Sequence, residues 1–148
     1  GSSATDDYVA ALHRRAGGNP NVIFTGYVTG RLKAELFSNA RLFVIPSALE
    51  GLPIALLEAM SYGLPCLASD IPPHREVMVD GENGFLFAAD NRDALRQRLR
   101  ELIALGKETR QSISSAARSL VMQDYDWDAV VDQIEALYAK LLSGRPIL

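Results

Sequence analysis

Cysteine is nearly absent from this chain: Cys66 stands alone among 148 residues, so no internal disulfide can form. A thiol without a partner fits a reducing compartment, and the expectation is a cytoplasmic protein, with peripheral attachment at the inner membrane left open for the full-length protein. Excess positive charge is missing too. Fifteen Lys and Arg face eighteen Asp and Glu, a formal net charge of −3, and without a polybasic footprint nucleic acid is not an expected partner. No apolar run approaches the ~18 residues that span a bilayer, and the first residues carry no secretory-signal pattern. Nor is there a His/Cys/Asp cluster at ligand spacing, so neither a metal nor a cofactor is expected.

What remains is 48% hydrophobic and 22% charged, which suits one soluble domain over residues 1–148. Residues 6–16 have helical spacing and end at Gly17-Gly18-Asn19-Pro20. Residues 21–28 are β-rich and short, predicting a strand; 31–39 read as a helix; 41–46 form a nearly continuous apolar run, as in a strand buried on both faces. A helix over 53–62 follows, opened by Pro53 at its first position and closed by Gly63, then a strand over 65–69 and a short helix through 78. Asp80-Gly81-Glu82-Asn83-Gly84 is turn chemistry, 84–87 a fourth strand, and helices are predicted over 91–105, 107–123 and 126–142. Alternation of strand and helix implies an α/β fold, a Rossmann-like parallel sheet with helices on both faces, because parallel strands need crossovers. Four strands are few for a doubly wound domain, so a strand-helix unit or two is expected to precede this chain.

Glu50 and Glu58 enclose seven residues, Gly51-Leu52-Pro53-Ile54-Ala55-Leu56-Leu57, at a strand-loop-helix junction. Ligands of open α/β sheets bind beyond the carboxyl ends of the strands. Amides of Gly51, Leu52, Ile54 and Ala55 at a helix start suit a diphosphate, and Gly51 permits close approach. A carboxylate accepts from two neighbouring sugar hydroxyls, so Glu58 suits a ribose and Glu50 a sugar at the other end of the diphosphate. The spacing equally suits a solvated loop glutamate and an exposed helix-face glutamate. Paired acids also serve glycosidases, but nothing here indicates two carboxylates facing each other across a cleft.

The stretch from Pro46 to Asp70, PSALEGLPIALLEAMSYGLPCLASD, closely resembles the donor-site signature of retaining GT-B glycosyltransferases, family 4 (group 1). Phe24-Thr25-Gly26-Tyr27-Val28, the run Glu76 to Leu86 (EVMVDGENGFL) and Tyr125-Asp126-Trp127 resemble further segments of that family. The resemblance implies the C-terminal, donor-binding half of a two-domain enzyme. That enzyme would move a sugar from a nucleoside-diphosphate sugar (UDP, GDP or ADP) to a glycan, lipid or small-molecule acceptor with retained configuration. Glu50 would act at the transferred sugar, Glu58 on the ribose, and Gly51, Leu52 and Ile54 on the diphosphate, while Val28 and Lys33 match positions near the nucleobase. The family's diphosphate-clamping Arg/Lys pair would precede residue 1, and Arg31 and Lys33 are poor substitutes by position. The fragment alone is therefore expected to be inactive. Its last helix, 126–142, would pack toward the missing N-terminal domain. Two other functions stay open: a nucleotide-sugar-binding module without transfer activity, and a GT-B nucleotide-sugar 2-epimerase.

Other residues invite plainer expectations. His74, after Pro72-Pro73, reads as an exposed loop histidine; Glu76 as a cap or a cleft residue; Ser69-Asp70 as a capping pair. Cys66 reads as core, Trp127 and Tyr138 as packing residues, and the charged run 92–100 as a solvated face.

Overall fold

The structure, a computed structural model, describes residues 3–143, with side chains from residue 7 onward. They fall into two compact units, one ending at Lys33 and one beginning at Ala34. In the first, helix α1 (Ser3–Ala16) stops where Gly17 and Gly18 take φ of 58° and 71°, a left-handed turn that costs glycine little. The ring of Phe24 stacks on His13 at 3.9 Å between centroids.

The strand predicted over 21–28 does not form. Apart from half-buried Val28 its apolar residues stand exposed, Ile23 at 80% and Tyr27 at 96%. A lone β-rich segment gains stability only from a neighbouring ladder, and this unit holds no second strand among its described residues. Helix α2 (Gly30–Asn39) runs across the boundary between the units.

The second unit carries β1 (Phe43–Ile45), α3 (Ile54–Ser61), β2 (Cys66–Ser69), α4 (Pro72–Val77), β3 (Phe85–Phe87), α5 (Arg92–Ala104), α6 (Lys107–Asp124) and α7 (Trp127–Leu142). The strands form a parallel sheet in the order β1-β2-β3, with Phe43 opposite Cys66 and Leu67 opposite Phe85. Central β2 is buried throughout and alternates between two cores. Cys66 and Ala68 join Leu56, Met60, Ala117 and Val121 beneath α3 and α6, whereas Leu67 joins Phe85, Phe87 and Leu102 on the α5 side. Both faces of the sheet are thus covered, as strand-helix alternation requires.

The Asp80–Gly84 turn locks the end of α4 to β3 and α5. Asp80 accepts the Leu86 N–H at 2.8 Å through Oδ1 and Arg98 at 2.6 Å through Oδ2. Buried Asn83 accepts from Val79 N at 2.7 Å and donates to the Val77 carbonyl at 3.3 Å. A Cβ on Gly84 would fall 2.6 Å from the Met78 sulfur, so a larger residue there would force the buried Met78 side chain to shift. The family-like segment 76–86 is, in this structure, a structural clamp.

Candidate functional site

Pro46 has no N–H with which to extend β1, and the loop 46–53 lies beyond that strand's carboxyl end. Pro53 is buried, with φ −79° and ψ 73°. These angles make an inverse γ-turn, closed by the Ile54 N–H donating to the Leu52 carbonyl at 2.9 Å. The helix therefore begins at Ile54, and Pro53 caps it rather than occupying its first position; the Pro53 carbonyl accepts from Leu56 and Leu57 at 2.9 and 3.1 Å. Among the described residues, the N–H groups of Gly51 and Leu52 have no hydrogen-bond partner, and both residues are exposed. The Ile54 N–H, by contrast, is already committed to the turn.

Glu58 sits one turn into α3, ~6 Å along the axis from Ile54. Leu56, Leu57, Ala59 and Met60 face the core and leave Glu58 half-buried. Its side chain lines a solvent-open cavity of about 540 Å³ whose other walls include Leu52, Ile54, Ser61, Tyr125 and Trp127. Burial, then the nearby charges of Asp124 and Glu76, hold the Tyr125 hydroxyl above its ordinary value, so this wall presents a neutral phenol.

Glu50, also half-buried, accepts a hydrogen bond from Ser47 Oγ at 2.6 Å. The Ser47 carbonyl in turn accepts from Ser69 Oγ at the end of β2. His74 is not an exposed loop residue: it is fully buried on α4, with Nδ1 2.7 Å from the Ser69 carbonyl. The Pro72-Pro73 pair starts the short helix expected there, and that helix turns the imidazole inward instead of leaving it exposed. Ser69 and Asp70 do not cap α4 either; Ile71 occupies the cap without a side-chain bond, and Asp70 pairs with Arg75 at 2.5 Å. Glu76 is exposed.

Glu50, Gly51, Leu52, Ile54 and Glu58 thus share one loop-helix segment of the second unit, with both carboxylates accessible. Val28 and Lys33 belong to the first unit, where each is half-buried. Trp127 and Tyr138 are not packed, being 80% and 61% exposed. The residues missed by sequence reasoning are Ser47, Ser69 and His74. One signal was available: Ser47-Ala48-Leu49-Glu50 has the S-x-x-E spacing that brings a hydroxyl to a carboxylate.

Comparison with known proteins places this geometry. The family model for glycosyl transferases group 1 matches residues 1–120. A sulfoquinovosyl transferase of Arabidopsis thaliana is 36% identical over 118 residues, which is 76% of this chain and 22% of that protein. Phosphatidyl-myo-inositol mannosyltransferase of Mycobacterium leprae is 33% identical over 129 residues, 86% of this chain and 34% of its own length. Anabaena HepE, solved in complex with UDP and glucose, superposes with a TM-score of 0.83 at 26% identity, over 93% of this chain and 38% of HepE. The chain spans well under half of each of these proteins, and its parallel sheet with flanking helices matches GT-B glycosyltransferase C-terminal domains. An α/β unit with an open-amide helix start between two accessible glutamates, matched along most of its length by that family model, belongs to the glycosyl transferases group 1 family.

Proposed function

We propose that this chain is the donor-binding half of a retaining glycosyltransferase that transfers a sugar from a nucleoside diphosphate to an acceptor hydroxyl. The observation that carries the proposal is the start of α3. Two unpartnered N–H groups, Gly51 and Leu52, stand between two accessible carboxylates. The amides and the positive end of the helix dipole hold the diphosphate. They stabilise the charge that grows on it as the sugar leaves, which is transition-state stabilisation by preoriented donors. Ile54 adds its N–H only by sharing it with Leu52 or by opening the γ-turn.

Glu58 accepts from the ribose hydroxyls inside the cavity, against the Trp127 and Tyr125 walls. Glu50 meets the transferred sugar or the charge near its anomeric carbon. Val28 and Lys33 serve the nucleobase. A nucleotide-sugar donor is supported by HepE, whose structures hold UDP and UDP-glucose. The exposed apolar stripe of α7, with Val131, Ile134 and Leu141 beside Tyr138, supports packing of that helix against an N-terminal domain that also supplies the acceptor site. On this reading the 148-residue chain binds donor weakly and does not turn over.

Titration with UDP, GDP and ADP, followed by amide NMR and Trp127 fluorescence, tests the site. The preferred nucleotide shifts Gly51 and Leu52 and perturbs the indole emission, and Glu58→Ala weakens binding about tenfold or more, as loss of hydrogen bonds to a charged acceptor should. Unchanged affinity in that variant would remove the ribose assignment. Binding without transfer by the full-length enzyme would favour the regulatory module instead.

A further inference from the structure

Three polar residues, one each from the loop 46–53, β2 and α4, are joined behind Glu50, and their proton directions can be worked out in order. Ser69 Oγ–H is spent on the Ser47 carbonyl. The Ser69 carbonyl can only accept, so the proton in its 2.7 Å contact with His74 lies on Nδ1, and the 3.3 Å approach of Nδ1 to Ser69 Oγ is a second, weaker donation from the same N–H. Ser47 Oγ–H is spent on Glu50 Oε1 at 2.6 Å, because the carboxylate only accepts. Each hydroxyl donates once, the Nδ1–H is shared between two acceptors of Ser69, and the chain ends at Glu50.

The other ring nitrogen explains why this is more than packing. His74 is 0% exposed, and its Nε2 has no hydrogen-bond partner. A buried, unpaired polar atom destabilises a fold, and an apolar side chain of similar size would avoid that cost. The histidine is therefore accounted for by what Nδ1 does.

We propose that His74 is a positioning residue for the sugar-facing carboxylate: acting through Ser69 and Ser47, it fixes one oxygen of Glu50 and leaves the other to the donor sugar. The inference rests on the assignment of Glu50 to the transferred sugar. The loop 46–53 has neither helix nor strand to hold it, and the Ser69–Ser47 bond ties it to the end of β2. His74 in turn fixes the Ser69 backbone from α4. Glu50 is thus oriented by elements on which the loop itself does not lie.

The test is the affinity of the chain for UDP-glucose, GDP-mannose and ADP-glucose, each divided by its affinity for the matching nucleotide. In Ser47→Ala that ratio falls about tenfold, the effect of losing one hydrogen bond to a charged group, and in His74→Leu, which releases the Ser69 backbone, it falls in the same direction. His74→Asn, whose amide N–H takes the place of Nδ1–H, restores it to within about threefold. Long-range proton-nitrogen NMR, with His13→Gln to assign the two histidines, shows the Nδ1–H tautomer at His74. A ratio unchanged in Ser47→Ala, an Nε2–H tautomer, or His74→Asn behaving as His74→Leu would each overturn the relay. Failure of the wild-type chain to bind any nucleotide would instead overturn the donor-site reading. Should His74→Leu not fold, Ser47→Ala and Ser69→Ala carry the decision.

Discussion

Cys66 has no exposed surface, its thiol donates to the Leu64 carbonyl at 3.2 Å, and burial pushes its pKa up to about 12. Thiolate is the reactive form, so a disulfide reagent at pH 8 leaves the folded chain unmodified and labels it fully in denaturant. Rapid labelling of the native chain would contradict the burial. The same shift lowers stability above pH 9.0, where the unfolded thiol ionises and the folded one does not. Asp70 works in the opposite sense. The Arg75 guanidinium, chiefly by hydrogen bonding, holds its carboxyl below the ordinary 3.8. A depressed carboxylate stabilises the fold above its unfolded pKa, and that contribution is lost as pH falls below it. Both side chains are more than a third exposed, so the effect is small. Asp70→Asn should lower stability slightly at pH 6 in a urea melt, and the difference from wild type should shrink progressively as pH falls below 3.8. A difference that persisted in acid would show that charge is not its source.

Helix α5 is held at its start by Asn91, whose Oδ1 accepts from Asp93 and Ala94 at 3.1 and 2.9 Å. Asn91→Ala should cost about 1 kcal/mol in chemical denaturation. No measurable loss would mean that the packing of Leu102 alone fixes this helix. Elements of this kind were legible in the sequence because their signals are local: the cap, the apolar periodicity of 92–104, the glycines ending α1, and the apolar runs of β1 and β2. The loop-to-helix junction at Glu50-Gly51-Leu52-Pro53 was legible for the same reason. The strand expected over 21–28 was not a misreading of propensity; pairing is a property of two segments, and one segment cannot reveal whether its partner is there. The Pro53 γ-turn moved a helix start by one residue and drew the Ile54 amide inward. The environment of His74 was invisible because it depends on Ser47 and Ser69, 27 and 5 positions earlier.

At the largest scale, the second unit has a sealed interior and an open periphery. The two cores flanking β2 are closed, whereas Trp127, Val131, Ile134, Leu137, Tyr138 and Leu141 on α7 remain exposed. A row of large apolar side chains at helical spacing is an interaction surface rather than a solvated face. Trp127 is the sole tryptophan, which makes the surface measurable. In the isolated chain its emission maximum should lie close to that of free tryptophan in water, and the proposed packing of α7 against an N-terminal domain would shift it to shorter wavelength in the full-length protein. A blue emission in the isolated chain would show α7 already packed. No described helix is long and apolar enough to cross a membrane.

The packing of α3 on α6 carries a consequence for biosynthesis. Leu56 and Met60 are roofed by Ala117 and Val121, more than fifty residues downstream. On the ribosome α3 and the loop before it are therefore made long before the hydrophobic lid that covers the helix. Until α6 has cleared the exit tunnel, the nascent segment exposes the greasiest helix of the chain, which is the interval in which a chaperone would engage it.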